Sequence, residues 1–351
     1  MFKVPTDFPE SDGTLEWDAT TLVLVELAAG RTRGLGYTYA HGCCAELMRE
    51  TLFPLVVGSD AMDVRATWNK MNVAVRNFGR HGIAATAIAA VDVALWDLKA
   101  RLLNTSLINH LGAVRDRIPV YGSGGFTSYP EKRLRHQFEG WVDEGITMVK
   151  MKIGRDPAAD VPRVKAARKA VGKNVRLFVD ANGAYSVGQA VSFAEKFSEH
   201  HVSWFEEPVG SDDLAGLRSV RERAPGGLEV SAGEYNYDAW QARQMLEAQA
   251  VDVLQADATR CGITGFLQAA ELCDAFQVPL SSHTAPALHA HLCCAASRAR
   301  HAEYFHDHVR IEQMFFDGPT TRHQDGFLRP DPARPGLGLE FKRKDAEKFR
   351  R

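Results

Sequence analysis

Five β-rich stretches of the chain each end in a polar or charged side chain: VRLFVD (175–180), VSWFEE (202–207), LEVSAGE (228–234), DVLQAD (252–257) and VPLSSH (278–283). Parallel strands covered on both faces are normally apolar throughout, so a charge at the carboxyl end of each strand requires an explanation. These end residues recur every 23 to 28 residues, which is the length of one strand–helix unit. We therefore expect Asp180, Glu206, Glu234, Asp257 and His283 to converge at one mouth of a barrel.

The strand–helix alternation extends to both sides of these five stretches. Further β-rich runs occur at 120–124, 147–153 and 302–305, which brings the number of predicted strands to eight. Alternation of this kind predicts parallel strands joined by helical crossovers. Eight units over about 200 residues favour an α/β fold, the (β/α)₈ TIM barrel, over a doubly wound sheet, which has fewer strands and a glycine fingerprint that is absent here. The clearest candidate helices are 160–170, 187–199, 238–248 and 264–276.

Residues 1–118 follow a different pattern. Residues 20–27 and 34–39 predict an antiparallel hairpin, and helical periodicity follows at 45–53, 61–75 and 82–103. We therefore expect three parts: an N-terminal α+β capping domain at 1–118, a catalytic barrel at 119–314, and a C-terminal segment at 315–351 that packs back on the capping domain.

The composition excludes several classes of protein. Hydrophobic residues make up 45% of the 351 residues and charged residues 25%, which is typical of a soluble globular protein. Lys and Arg number 42 against 44 Asp and Glu, so no basic surface indicates a nucleic-acid partner. The sequence contains no run of 18 apolar residues, so nothing in it indicates a membrane partner. We expect a cytoplasmic homo-oligomer that binds a small molecule.

Three successive strand ends carry the acids Asp180, Glu206 and Glu234. Carboxylates at one rim repel one another unless a positive charge lies between them, and a hard divalent cation with oxygen ligands meets that need. Mg²⁺ fits because it keeps further coordination positions for water or substrate oxygens. Any one of these acids is also explained as a cap of the following helix, but three in succession favour the metal.

Lys150 and Lys152 stand two residues apart in the second strand, so their side chains point to the same face. Because neither belongs between the sheet and the helices, we expect both at the barrel mouth. Two ammonium groups about 6 Å apart repel by about 3 kcal/mol at an effective dielectric of about 20, which is worth roughly two pKa units. We therefore expect a lysine with a near-neutral pKa that serves as a base. The alternative is two surface lysines on a wrongly assigned strand.

Asp257 and His283 end neighbouring predicted strands. The carboxylate can hold one imidazole nitrogen and leave the other free to take or give a proton. With a lysine on the opposite side of the barrel, this pair predicts one acid–base group on each face of a bound substrate.

These motifs resemble the enolase superfamily, specifically its mandelate racemase group, in order and spacing over nearly the whole chain. The matching segments are Lys-x-Lys at 150–152, VDANG at 179–183, WFEEP at 204–208, AGE at 232–234, QAD with R-x-G at 255–262, SSH at 281–283, AAVDVALWDLKA at 89–100 and PGLGLEF at 335–341.

The resemblance implies a magnesium-dependent enzyme. It implies that Asp180, Glu206 and Glu234 hold Mg²⁺, which binds a substrate carboxylate and stabilises the enediolate formed when the α-proton leaves. It implies further roles for other residues: Lys152 as the base on one face, Lys150 as an electrostatic helper, His283 with Asp257 as the acid or base on the other face, Glu303 as a hydrogen-bonding partner of the carboxylate, and Asn182 as a contact to metal-bound substrate.

Two departures from the family pattern concern the backbone. Only Met1 to Val4 precede Pro5, so we expect the first capping strand to be short or trimmed. Cys261-Gly262-Ile263 stands where two glycines are common in the family, which changes the turn after the sixth strand. Residues 5–15, with Asp12-Gly13 at the tip, are expected to close over the barrel mouth as a lid.

Three functions are compatible with the sequence. The first is dehydration of a sugar acid, an aldonate or aldarate, in which loss of the 3-hydroxyl follows removal of the α-proton. The second is racemisation or epimerisation of a 2-hydroxy acid or related carboxylate by the same two bases. The third is a non-catalytic binding barrel. The identity of the carboxylate substrate is left open, and we expect its specificity to depend on residues 6–17, residues 39–46, Tyr121 and Tyr235.

Overall fold

The computed structural model describes residues 1–351, and its centre is a closed barrel of eight parallel strands. Neighbours in the sheet follow the chain order, and the last strand pairs with the first. The predicted barrel is therefore confirmed. The strands are β4 (Ile118–Gly124), β5 (Met148–Lys152), β6 (Arg176–Asp180), β7 (Val202–Glu206), β8 (Glu229–Ala232), β9 (Val253–Ala256), β10 (Leu280–Ser282) and β11 (Ala299–Phe305).

One principal helix follows each barrel strand and covers the outside of the barrel. Several begin at a side chain that accepts a backbone N–H, as Ser186 and Asp238 do. No helix in the protein is both long and apolar enough to cross a membrane. The eight helices are α6 (Glu131–Asp143), α7 (Pro157–Val171), α8 (Val187–Ser198), α9 (Leu214–Arg223), α10 (Ala239–Glu247), α11 (Ala258–Phe276), α12 (Pro286–Ala295) and α13 (His306–Phe315).

The N-terminal part is a three-stranded antiparallel sheet with helices packed on it. Its strands are β1 (Phe2–Ser11), β2 (Glu16–Ala29) and β3 (Thr32–Tyr39). Its helices are α1 (Cys43–Leu47), α2 (Phe53–Val56), α3 (Val64–Ala74), α4 (Ile83–Leu102) and α5 (Leu107–Leu111), with a π-helical turn at Met48–Leu52 between α1 and α2.

The expectation of a short or trimmed first strand is wrong. Strand β1 runs for ten residues and contains both Pro5 and Pro9. It lies at the edge of the sheet, where β2 is its only partner strand apart from a single bridge between Phe2 and Arg350, so a residue without an N–H is tolerated there. The register shifts between Pro5 and Glu10, after which pairing resumes at Glu10 and Ser11.

The C-terminal segment contacts both the barrel and the capping sheet. Its short elements are β12 (Phe316–Asp317), β13 (Phe327–Leu328), β14 (Glu340–Phe341) and α14 (Arg343–Ala346), with 3₁₀ turns at Pro319–Thr321 and Glu347–Phe349. Strand β13 pairs with β4, while the ring of Phe341 lies 5.6 Å from that of Phe2. We retain 1–118, 119–314 and 315–351 as a proposed division of the chain.

Two buried aspartates on α4 connect the three parts. Asp97 accepts the backbone N–H groups of Leu35 at 2.7 Å and Leu337 at 2.6 Å, which joins α4 to β3 and to the C-terminal segment. Asp92 accepts the N–H of Thr264 at 2.8 Å and its hydroxyl at 2.7 Å. Asp92 thereby supplies the hydrogen bond that α11 lacks where it is interrupted at Gly262.

Gly262 is the only residue within α11 with non-helical backbone angles, at φ 75°. A side chain at this position would also meet the Asp92 carboxylate, because a Cβ would lie 2.6 Å from Oδ2. The single glycine of Cys261-Gly262-Ile263 therefore makes the turn that the sequence left uncertain.

We predict that Asp92→Asn stabilises the protein increasingly as pH rises. Burial raises the pKa of Asp92 to about 7, against an unfolded value near 4, so the folded state holds a proton that the unfolded chain has lost. That protonation contributes stability below pH 4 that is lost as pH rises through 7. Asn does not titrate, and its amide can donate to the Thr264 hydroxyl. In urea unfolding, the free energy of unfolding of the variant should rise relative to that of the parent by on the order of 2 to 3 kcal/mol between pH 5 and 8.

The matched control is Asp143→Asn, because Asp143 is exposed on α6. Its free-energy difference from the parent should stay flat with pH. A flat difference for Asp92→Asn as well would show that Asp92 is ionised in the folded protein across this range.

Candidate active site

The carboxyl ends of the barrel strands open into a cavity of about 660 Å³ that the capping domain covers. Its lining includes Lys152, Glu234, Asp257 and His283 from the barrel. A cavity of this size accommodates a small-molecule substrate.

Asp180, Glu206 and Glu234 converge at this face as the sequence predicts. Asp180 and Glu206 are the last residues of β6 and β7 and are paired in register, while Glu234 follows β8 by two residues. All three are buried, and one carboxylate oxygen from each lies within 4.8 Å of the others. The Oε2 of Glu234 is buried without a hydrogen-bond partner. Three converging carboxylates with an unsatisfied oxygen form a donor set suited to a hard divalent cation.

Lys150 and Lys152 both extend from β5 toward these carboxylates. Lys150 Nζ donates to Glu206 and lies 2.8 Å from Glu303 Oε1 and 3.4 Å from Asp180 Oδ2. Lys152 Nζ donates to the same Asp180 oxygen at 2.5 Å. Lys150 is fully buried, whereas Lys152 reaches the cavity.

The expectation of a near-neutral lysine pKa is wrong for this arrangement. Burial has the largest single effect and lowers the pKa of Lys152, but the carboxylates of Asp180, Glu234 and Glu206 together raise it by more, so the pKa lies above its usual value. Burial also lowers the pKa of Lys150, but the carboxylates of Glu206 and Glu303 outweigh this effect, so the pKa lies well above its usual value. The charge of Lys150 does lower the pKa of Lys152, but the Asp180 carboxylate has the larger effect and raises it.

The carboxylates respond unequally to the same surroundings. Burial raises the pKa of Glu206 to about 8, with Asp180 adding to the rise. Burial also acts on Asp180, but Lys152 and Lys150 lower its pKa below the usual value. Of Asp180 and Glu206, Asp180 is therefore the one that the lysines keep ionised, and Lys150 likewise lowers the pKa of Glu303 to about 2.

Asp257 and His283 form the predicted pair. Asp257 Oδ2 lies 2.9 Å from His283 Nδ1, and the other carboxylate oxygen accepts the N–H and the hydroxyl of Thr259, both at 2.7 Å. His283 Nε2 points into the site, 3.4 Å from Glu234 Oε2 and 4.0 Å from Glu303 Oε2. Burial lowers the pKa of His283, but Glu234 and Asp257 raise it by more.

In the sheet, β6, β7 and β8 separate the strand of Lys152 from the strands that precede Asp257 and His283. The lysine and the imidazole therefore reach the cavity from different sides of the three carboxylates.

Residues 133–346 match the family described as enolase C-terminal domain-like, and residues 8–112 match the mandelate racemase / muconate lactonizing enzyme N-terminal domain. The chain belongs to the mandelate racemase group of the enolase superfamily. The family predicted from the sequence motifs is thus confirmed.

Among characterised relatives, a 3,6-anhydro-α-L-galactonate cycloisomerase of Streptomyces coelicolor is 31% identical over 98% of this chain and 96% of the relative. An L-talarate/galactarate dehydratase of Salmonella typhimurium is 30% identical over 90% of this chain and 82% of the relative.

Two solved structures share the whole architecture. A mandelate racemase/muconate lactonizing enzyme-like protein of Rubrobacter xylanophilus is 51% identical, with a TM-score of 0.96 over 99% of this chain and 97% of that one. A racemase of Streptomyces coelicolor with bound magnesium is 28% identical, with a TM-score of 0.92 over the same shares.

The remaining candidates occupy different positions in this enolase-superfamily barrel. Glu303, on β11, accepts the N–H of Thr284 at 2.7 Å and faces the site. Asn182 and Tyr235 line the cavity, and the Oδ1 of Asn182 has no partner. Tyr121 does not line the cavity. It is fully buried in the barrel interior, where its ring lies 5.5 Å from that of Phe178.

Arg260 is a site residue whose role was not predicted from the sequence, and Glu207 next to Glu206 was expected only to be a supporting residue. Arg260 donates to the backbone oxygen of Glu234 at 2.8 Å and lies 3.7 Å from Asp257 Oδ2, with its guanidinium 4.4 Å from the Tyr235 ring centre. Glu207 has a left-handed backbone at φ 37°, and burial followed by Glu234 raises its pKa well above the usual value. In the sequence, the arginine of R-x-G was the signal for Arg260. Nothing in the sequence indicated the left-handed backbone of Glu207.

The tip of the β1–β2 hairpin, residues 12–15, covers one side of the cavity. Asp12 Oδ1 accepts the N–H groups of Thr14 at 2.6 Å and Leu15 at 2.7 Å, which fixes the turn. Gly13 packs directly on the barrel backbone, because a Cβ there would overlap the carbonyl oxygen of Ala181 and lie 2.8 Å from that of Ile153. A glycine therefore permits the hairpin to close on the barrel.

We predict that Gly13→Ala displaces this hairpin. Both obstructing atoms belong to barrel backbone, so the hairpin has to move, and water then enters the cavity. Hydrogen exchange of residues 5–15 should accelerate at least tenfold, and catalytic efficiency should fall at least tenfold. Gly140→Ala is the control, because that α6 position has open space around it. Unchanged exchange in the Gly13 variant would contradict the closed arrangement.

Proposed function

We propose that this protein abstracts the proton α to a carboxylate with Mg²⁺ as cofactor, and that its reaction is dehydration of a sugar acid. The observation that carries the proposal is the approach of Lys152 and His283 to one cavity from different sides of three carboxylates. Family membership and the acid-sugar dehydratase and cycloisomerase relatives support the same chemistry.

Asp180, Glu206 and Glu234 would hold the Mg²⁺ in this proposal. Their oxygens already converge, and Glu234 Oε2 accepts no hydrogen bond, although His283 Nε2 lies 3.4 Å from it. The bound cation would supply positive charge opposite the substrate carboxylate as negative charge develops on it.

Lys152 is the proposed base, because it reaches the cavity while Lys150 remains fully enclosed. Asp180 is the main cause that raises the pKa of Lys152, and a cation held by Asp180 would oppose that effect and favour the neutral amine that a base requires. Lys150 holds Glu206 and Glu303 in place, a positioning and electrostatic role. Glu303 is proposed to hydrogen-bond the substrate carboxylate, and Asn182 and Tyr235 are proposed to contact the substrate.

His283 is the proposed acid for the leaving 3-hydroxyl. Asp257 engages Nδ1, so Nε2 is the nitrogen that exchanges a proton with the substrate. Thr259 fixes Asp257 in turn. Racemisation or epimerisation remains the second candidate, supported by the same two groups on different sides of the cavity.

We further propose a cytoplasmic homo-oligomer. The six cysteines are unpaired, which suits a reducing compartment. The aromatic side chains of Trp240 and Phe78, both more than half exposed, support a contact between copies.

A screen of sugar acids with Mg²⁺ tests the reaction. Dehydration predicts a 2-keto-3-deoxy acid, detected as the semicarbazone. Racemisation predicts α-deuteration and inversion in deuterated water without a keto product. A binding barrel predicts neither, even for an acid that binds.

We predict that Asp180→Asn abolishes stoichiometric Mg²⁺ binding and activity together while the fold remains. The change removes the carboxylate shared by Lys150 and Lys152 and leaves two ammonium groups beside the proposed metal position. Calorimetric titration with Mg²⁺ should show at least a 100-fold weaker Kd, and circular dichroism should match the parent. Asp143→Asn, on exposed α6, should bind normally. Unimpaired metal binding by the Asp180 variant would refute the assignment.

We predict that Lys152→Ala and His283→Asn lose opposite halves of the α-proton exchange. Each group reaches the substrate from its own side, so each should serve one configuration of the α-carbon. NMR in deuterated water should show Lys152→Ala exchanging only the epimer presented to His283, and His283→Asn the reverse. Loss of a general base reduces a rate by about 10²- to 10⁴-fold, so the contrast should be large. Equal loss for both epimers, with Mg²⁺ still bound, would leave a single-base mechanism.

A further inference from the structure

We propose that the distal end of the cavity selects monocarboxylates, of the aldonate type, and rejects the corresponding dicarboxylates. The inference rests on the proposed function, since it concerns the far end of the same substrate. A sugar acid whose carboxylate lies at the proposed metal position extends its remaining carbons toward the capping domain.

The lysine and arginine side chains of the cavity lie at its reaction end. Lys152 and Arg260 are the only lysine and arginine that line it, and both are already engaged, with Asp180 and with Glu234 and Asp257. His41 also lines the cavity, and its Nδ1 accepts the N–H of Cys43 at 3.2 Å. His308 adds no charge, because burial lowers its pKa to about 3.

The distal end presents hydroxyl and aromatic groups from the capping sheet. Thr20 and Thr21 of β2 and Tyr39 of β3 line it, together with Trp17. The Tyr39 hydroxyl is buried without a hydrogen-bond partner, and its ring stacks on His308 with centres 3.4 Å apart. Burial raises the pKa of Tyr39 well above its usual value, so the group remains a neutral donor and acceptor. An unpaired buried hydroxyl of this kind suits a hydroxyl on a polyol chain.

Acidic groups lie directly behind these side chains. Glu10 is buried with one oxygen unpartnered, and the other accepts the Trp17 indole N–H at 2.8 Å. Burial raises the pKa of Glu10 to about 8, so this group adds little negative charge near neutral pH. Asp307, fully buried, accepts the Thr20 hydroxyl and pairs with Arg310. Asp12 also lines the cavity.

The nearby arginines do not reverse this charge. Arg310 is engaged by Asp307 and by the backbone oxygen of Pro5, and Arg133 pairs with Asp7. A second substrate carboxylate would therefore be desolvated against acidic and hydroxyl groups, with no free lysine or arginine to pair with it.

Matched acids that differ only at the terminal carbon test the proposal. With the Mg²⁺-loaded enzyme, we expect catalytic efficiency for galactonate or gluconate to exceed that for galactarate or glucarate by at least 100-fold, and calorimetric Kd values to follow the same order. Equal or better use of the diacids overturns the proposal. If no acid of either class binds or exchanges its α-proton while Mg²⁺ binds normally, the proposed function itself fails, and the selectivity proposal with it.

Tyr39→Phe tests the hydroxyl-binding role. We expect at least tenfold lower catalytic efficiency for six-carbon monoacids, little change for a four-carbon acid that does not reach Tyr39, and an unchanged melting temperature because the lost hydroxyl has no protein partner. Tyr304→Phe, whose hydroxyl accepts from Gln313 outside the cavity, is the control. Equal loss for short and long acids would overturn the assignment of Tyr39.

Discussion

The balance of buried charge at the carboxyl ends of the barrel strands is the constraint on which the site depends. Asp180, Glu206, Glu234 and Glu303 are all buried in one small volume. Isolated charges there would be strongly destabilising, so each carboxylate needs a partner of opposite charge or a proton. Lys150 contacts three of the four, and this requires β5 to present its lysines at the level where β6 and β7 end. The parallel register of β5, β6 and β7 provides that alignment.

The same charge balance explains why the capping domain is attached so firmly. Dicationic and anionic groups interact strongly only where water is excluded, and the barrel loops leave the cavity open on the side of β2 and β3. Asp92 and Asp97 fix α4 to the barrel and to the C-terminal segment through backbone N–H groups. The hairpin tip at Gly13 then only has to complete a cover that is already positioned.

The parts of the fold that follow from local pattern could be predicted from the sequence. Each barrel strand is a short apolar run ending in a polar residue, and the spacing of one strand–helix unit is set by geometry, so five site residues were predicted from their positions. Strand β1 was not, because tolerance of Pro5 depends on its place at a sheet edge, which is a tertiary property.

The electrostatic properties of the site were not predicted correctly, because they too depend on tertiary structure. The expected pKa of Lys152 took account of Lys150, two residues away, but not of Asp180. Asp180 lies close to Lys152 because β5 and β6 are paired in that register. Tyr121 was expected to contribute to substrate specificity, but its ring lies beneath Lys150 and not beside the cavity. The role of Arg260 depends on how the first turn of α11 meets Glu234.

The chemistry of this site is compatible with the different reactions for which relatives of similar identity are named, a cycloisomerase and a dehydratase. Removal of the α-proton needs a base and a stabilised carboxylate, and this requirement is the same whether a hydroxyl then leaves or a proton returns. The outcome is decided by what lies next to the α-carbon when the substrate is bound, and hence by the groups that orient the distal carbons. In this chain, the groups that line the capping-domain side of the cavity come from β2, β3 and the hairpin tip. Substitutions in the capping sheet can therefore change the substrate, and with it the overall reaction, while the charge balance at the ends of the barrel strands stays intact.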